Sequence, residues 1–155
     1  MNDLKEKTVC FTGHREIIHK HLEKRLDEIV TSLAEAGYLY FGTGGAKGFD
    51  YIAAKSVLRV KENYPEIKLI IVLPCSDYYD RWMNDDKSSY YEILNKAHKV
   101  KVMSDHYYRG CMQVRNKHLA DNSSVCVNYL YKKEGGTAFT VEYARKKGLT
   151  LVSVI

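Results

Sequence analysis

The sequence predicts a single doubly wound α/β domain, with a mainly parallel six-stranded sheet and helices on both faces. Two observations carry this prediction. Six short runs rich in β-branched and aromatic residues alternate with stretches whose apolar residues recur every three or four positions. Several of those runs also lack polar alternation, as strands covered on both faces do. The 155 residues suit one domain, large enough to bury roughly 70% of the surface its unfolded chain exposes.

The first strand is expected over Thr8–Thr12 and the second over Tyr38–Phe41. Lys68–Leu73 (KLIIVL) is the clearest, and Lys99–Met103, Ser124–Leu130 and Thr150–Ile155 follow. Between the first two strands, Ile18, Leu22, Leu26, Ile29, Val30 and Leu33 form a helical stripe that Gly37 ends. Ile52, Ala53, Val57 and Val60 form a second stripe, closed before Pro65. Tyr91, Leu94 and Ala97 mark a third helix and Met112–Ala120 a fourth; Ala138, Val141 and Ala144 mark a fifth, which stops at Gly148. With no repeat, low-complexity tract or linker in the chain, right-handed crossovers join these elements into one domain, residues 1–155.

Composition narrows the function. A net charge of +5 permits an anionic ligand but falls short of the basic runs of a nucleic-acid coat. The dense basic spots, Lys132-Lys133 and Arg145-Lys146-Lys147, read as solvated surface. Cys10, Cys75, Cys111 and Cys126 include no CxxC pair, and Cys10 and Cys126 sit in apolar runs as small core residues. A reduced, cytoplasmic setting fits them. Neither a signal peptide nor a membrane span is visible, so no membrane partner is expected. The histidines show neither HxxxH nor HExxH spacing, so no metal site is expected.

The glycines point to a site. In an open parallel sheet, ligands bind outside the carboxyl ends of the strands. Three turns fall there: Thr12-Gly13-His14-Arg15, then residues 42–50 (GTGGAKGFD), then Lys132 to Thr137 through Gly135 and Gly136. Each is read as leading into a helix whose free N–H groups favour an anion. Glycine permits positive φ and lets a ligand approach the backbone. Three such turns on one edge predict a phosphate- or nucleotide-binding crevice. No Gly-Lys-Ser/Thr follows the second turn, so it is not a Walker A loop.

Other polar residues belong to that edge. Asp50 either accepts from ribose hydroxyls or complements a helix N-terminus. Arg115 either grips phosphate in bidentate fashion or makes a surface salt bridge, while Asn116 reads a base or ties two loops together. Arg15 is placed to meet a phosphate. His14 is either a backbone-bonded spacer or an acid–base group. The aromatics of Asp77 to Trp82 either stack on a base or ribose, or tuck into the edge of the core.

The series FTGHR, then GxxxGxD entering a helix, then Gly110-Cys111-Met112-Gln113-x-Arg115-Asn116, then GGTxxTxxxA resembles the SLOG superfamily. That group includes the lonely-guy phosphoribohydrolases and DNA-processing protein A. The likeness is to its YpsA-like branch of small stand-alone proteins and covers nearly the whole chain. It implies a Rossmann-like fold, homo-oligomers, and a pocket for a nucleotide-derived ligand with no further cofactor required. Carried over, that pocket uses Gly13, His14 and Arg15, then Gly44, Gly45, Gly48 and Asp50, then Arg115 and Asn116. Gly135, Gly136, Thr137 and Thr140 complete it.

One departure bears on chemistry. The phosphoribohydrolase branch resembles GGxGTxxE, where this chain has Thr140 in place of the glutamate. The nearest acid, Glu142, lies two residues on, about 200° around a helix. The expected function is therefore to bind a nucleotide-derived, ADP-ribose-like ligand as a sensor. N-glycosidic hydrolysis of nucleoside monophosphates is the alternative, with Asp50, Glu142 and Arg115 as candidates. Single-stranded nucleic-acid binding is a further one, less favoured.

Overall fold

In the computed structural model, which describes residues 3–155, six strands and six helices alternate along the chain. The strands are β1 (Thr8–Gly13), β2 (Tyr40–Thr43), β3 (Lys68–Leu73), β4 (Lys99–Val102), β5 (Val125–Tyr129) and β6 (Thr150–Ser153). The helices are α1 (Asp3–Glu6), α2 (Leu22–Glu35), α3 (Phe49–Lys61), α4 (Asn84–Lys96), α5 (Cys111–Asp121) and α6 (Gly136–Lys146). All strands pair in parallel, in the order β4-β3-β2-β1-β5-β6. The sheet is thus wholly rather than mainly parallel.

The two-residue period of a strand divides the core between two faces. Val9 and Phe11 of β1 join Val125, Val127 and Tyr129 of β5 in the larger cluster, packed against α2, α3 and α4. Cys10 points the other way, and its register partner Cys126 lies beside it under Leu119, Ala120 and Ala144 of α5 and α6. Burial of both cysteines as small apolar residues follows from that alternation. Among the described residues no helix is long and apolar enough to cross a membrane.

Several boundaries differ from the expected ones for local reasons. Ile18 is 58% exposed and precedes α2, because the chain must pass His21, held at φ 65°, before the helix begins. β2 starts two residues late, since the amides of Leu39 and Tyr40 both bond Lys7 C=O, and it runs on to Thr43 opposite Ile71. α4 begins at Asn84, well before Tyr91: its first turns are polar and exposed, so no apolar stripe marks them. The single turn α1 carries no periodic signal of its own.

Candidate functional site

From β1 the chain moves outward through β2, β3 and β4, then returns to lay β5 on the other side of β1. Strand order therefore reverses between β1 and β5, where doubly wound sheets leave a gap between diverging loops. A crevice of about 320 Å³ opens there. Gly13, His14 and Arg15 form one wall. Ala46 and Asp50 contribute from the start of α3, and Met112, Arg115 and Asn116 from the first turns of α5. Lys132, Glu134 and Gly135 to Thr137 close the opposite side. Gly13 and Gly136 thus share a rim, although they lie 123 positions apart in the chain.

Arg115 is the fixed cation of the site. It is only 4% exposed, and no carboxylate forms an ion pair with it among the described residues. Its Nη1 instead donates to Gly44 C=O and, at 3.3 Å, to Val72 C=O, while Nε donates to Asn116 Oδ1 at 2.7 Å. The surface salt bridge considered for it is ruled out. Asn116 does tie structure together, but by orienting this guanidinium.

Asp50 is 7% exposed and accepts the Ala46 N–H on Oδ2 at 3.2 Å, so it buckles the glycine loop onto the first turn of α3. Burial lifts its pKa above the usual carboxylate value. The Arg115 charge, the Ala46 and Gly44 amides and Arg15 oppose that lift without cancelling it. Asp50 therefore complements its helix N-terminus while its side chain also lines the crevice.

His14 is a backbone-bonded spacer. Its Nε2 accepts the N–H groups of Tyr131 at 3.2 Å and Lys132 at 3.3 Å, which joins the first loop to the last. Burial, and next the Lys132 charge, lower its pKa, so the imidazole is held neutral.

Gly44, Gly45, Gly48 and Thr140 stand outside the crevice walls. The bare Cα atoms of the three glycines make room for the protein rather than for a guest. A Cβ on Gly44 would lie 2.5 Å from Arg115 Nη1, and one on Gly45 would lie 2.6 Å from Leu73 Cδ2 and 2.8 Å from Tyr79 Oη. At Gly48 it would collide with the Arg15 carbonyl. Gly13, although in the wall, also has its Cβ position taken, by the Phe49 ring. Of the six glycines expected in the pocket, only Gly135 and Gly136 have open space there, with nothing within 4 Å. Thr140 is buried, and its Oγ1 donates to Gly136 C=O at 2.8 Å. Glu142 is exposed and pairs with Arg145 at 3.2 Å.

The helix termini contribute unequally. Seven residues separate His14 from α2, so that helix does not end at the crevice. α6 does: its ladder begins with Phe139 N–H on Gly135 C=O, which leaves the amides of Gly136, Thr137 and Ala138 without an intrahelical acceptor.

The aromatic segment after β3 secures the second loop. Tyr79 Oη donates to Gly45 C=O at 3.0 Å, and Tyr90 Oη donates to Ala46 C=O at 2.7 Å. Tyr78 and Tyr79 are buried, as the core-edge reading expects. Sequence reasoning placed Lys132 and Glu134 in the third turn, Ala46 in the second and Met112 in the motif before Arg115, but singled out none of the four as a site residue, and read the Lys132-Lys133 pair as solvated surface. It also missed Tyr129, whose hydroxyl accepts the amides of Ile18 at 3.0 Å and His19 at 3.2 Å and meets His19 Nδ1 at 2.9 Å. That one oxygen holds the loop carrying Arg15.

Comparison with known proteins agrees with this architecture. The sequence model described as the YspA SLOG family matches residues 6–150. A UPF0398 protein of Halalkalibacterium halodurans is 28% identical over 154 residues, covering 91% of this chain and 82% of the relative. DNA processing protein A from Streptococcus pneumoniae superposes with a TM-score of 0.71 at 21% identity, over 97% of this chain and 50% of that one. DNA processing protein A from Helicobacter pylori, whose structure is described for its single-stranded DNA binding mode, gives 0.69 at 20% identity, over 97% and 66%. The chain therefore spans half to two-thirds of these solved neighbours, which share its fold. The chain belongs to the YspA SLOG family.

Proposed function

We propose that this SLOG-family chain binds a phosphate-bearing, nucleotide-derived ligand of the ADP-ribose kind and reports its presence rather than consuming it. One observation carries the reading: Arg15, Arg115 and Lys132 converge with the unbonded amides of α6 on a single crevice at the switch point of the sheet. Against these three cations stand the carboxyls of Asp50 and Glu134, so the crevice favours an anion. The case for sensing over hydrolysis rests on the missing carboxylate. Thr140 is turned back onto its own helix, and Glu142 faces solvent with Arg145.

The test is a thermal-shift panel of nucleoside phosphates and ADP-ribose on the full chain and on Lys132→Ala. Binding raises the melting temperature of the native chain by mass action, and the substitution weakens that response. A panel with no stabilising member refutes the reading.

Hydrolysis is the second reading, and Asp50 favours it: a buried carboxyl with a raised pKa in a polar crevice is a common general-acid arrangement. Release of free base from nucleoside monophosphates supports it, and unchanged turnover in Asp50→Asn removes Asp50 from the mechanism. Single-stranded DNA, the ligand named for the Helicobacter pylori neighbour, would instead bind with an affinity that falls steeply as salt rises.

A further inference from the structure

A second cavity of about 540 Å³ adjoins the crevice. Arg15 and Met112 line both, so the two hollows share a boundary with a guanidinium standing on it. Each falls in the size range of small-molecule sites, about 300–1,000 Å³. Their linings differ in kind. The crevice presents cations and free amides. The second cavity presents the rings of Tyr78, Trp82 and Tyr107, with the carboxylates of Asp77 and Asp80 and the guanidinium of Arg81. Asp77 Oδ1 accepts the Tyr107 N–H at 3.1 Å, which tethers the β4–α5 loop across the cavity from the loop after β3. Tyr107 itself is 61% exposed at the rim.

We propose that the second cavity is the nucleoside subsite of the same ligand: the base and its ribose sit against Tyr107 and Trp82, Arg15 meets a bridging diphosphate, and the far phosphosugar end enters the glycine crevice. The ligand class is then a nucleoside diphosphate conjugate, in a fixed orientation. This inference rests on the binding function proposed above. Its physical basis is a difference in lining. In the second cavity two carboxylates offset Arg15 and Arg81, and as acceptor-only groups they suit ribose hydroxyls and exocyclic amines. Aromatic faces stack on any base. Cations and unpaired amides suit phosphate.

The chain contains one tryptophan, Trp82, and it lines this cavity, so its fluorescence reads occupancy directly. ADP-ribose and ribose 5-phosphate are titrated into the full chain while the melting temperature and the emission are followed in parallel. Both probes are expected to raise the melting temperature, and only ADP-ribose to change the Trp82 emission. Tyr107→Ala and Asp80→Asn alter exposed side chains and are expected to fold, as circular dichroism checks. Tyr107→Ala should weaken ADP-ribose about tenfold, the loss one aromatic stacking partner carries, and leave ribose 5-phosphate unchanged. If ADP-ribose stabilises the chain without altering the emission, or binds Tyr107→Ala and Asp80→Asn as tightly as the native chain, the subsite is refuted and the crevice reading stands. If neither probe stabilises the chain, both fall together.

Discussion

Gly48→Ala tests how the first loop is held against α3. Gly48 caps α3 with φ 76° and ψ −120°, a conformation that L side chains rarely adopt. An added Cβ would run into the Arg15 carbonyl oxygen and lie 2.5 Å from both the carbonyl carbon and Cα of Arg15. The obstacle is backbone, so no side-chain rotation relieves it. Forcing that backbone conformation costs about 1–3 kcal/mol, and overpacking of this kind adds about 1–3 kcal/mol. Moving the first loop away also breaks the bond from Phe49 N–H to His14 C=O, 3.1 Å long, worth about 1 kcal/mol. The sum is roughly 5 kcal/mol. At about 2–4 °C per kcal/mol for a domain of this length, the melting temperature should fall by roughly 10–20 °C. Circular-dichroism melts and urea midpoints measure this. ADP-ribose binding at a temperature where the variant is still folded should also be lost, because Arg15 moves with the loop. A melting temperature within about 2 °C of the native value refutes the packing argument.

Gly136→Ala is the contrasting case. Nothing lies within 4 Å of its Cβ position, so stability should hold or rise by about 0.5 kcal/mol, while the added methyl at the crevice wall weakens ADP-ribose. Unchanged affinity would place the α6 turn outside the binding surface. Tyr129→Phe deprives the amides of Ile18 and His19 of their acceptor, at a cost of about 2 kcal/mol. Amide exchange should quicken at those two residues before it does in β5, and simultaneous quickening throughout counts against a local clamp. Asp50 binds its proton more tightly folded than unfolded. The native chain should therefore lose stability as pH rises from the ordinary carboxylate value through the lifted one, and Asp50→Asn should lack that loss. Urea midpoints against pH measure both, and parallel profiles would mean that Asp50 titrates normally.

Much of the fold is legible in the sequence because burial on both faces writes itself as unbroken apolar runs. KLIIVL is β3 to the residue, and all six strands fall close to their expected places. Where exposure removes that pressure the signal vanishes, as in the polar first turns of α4. The convergence of three turns on one edge was also readable, because parallel topology places every strand's carboxyl end on the same side. What each glycine is for was not. Gly136 and Gly48 look alike as letters, yet one opens onto the crevice and the other accommodates the Arg15 backbone. Tyr129 carries a similar lesson: its ring reads as core, and only the fold brings its hydroxyl to amides more than 100 positions upstream.

The way Arg115 is mounted has a kinetic and a selective consequence. A mobile surface arginine must give up its freedom when it grasps a guest, at about 0.5–1.5 kcal/mol per immobilised side chain. Here the Gly44 and Val72 carbonyls have already stilled it before any encounter. Capture should run at the pace of diffusion and alignment, with no rearrangement step to wait for. The same rigidity makes the pocket intolerant, because a guanidinium that cannot swing cannot follow a charge presented at the wrong spacing.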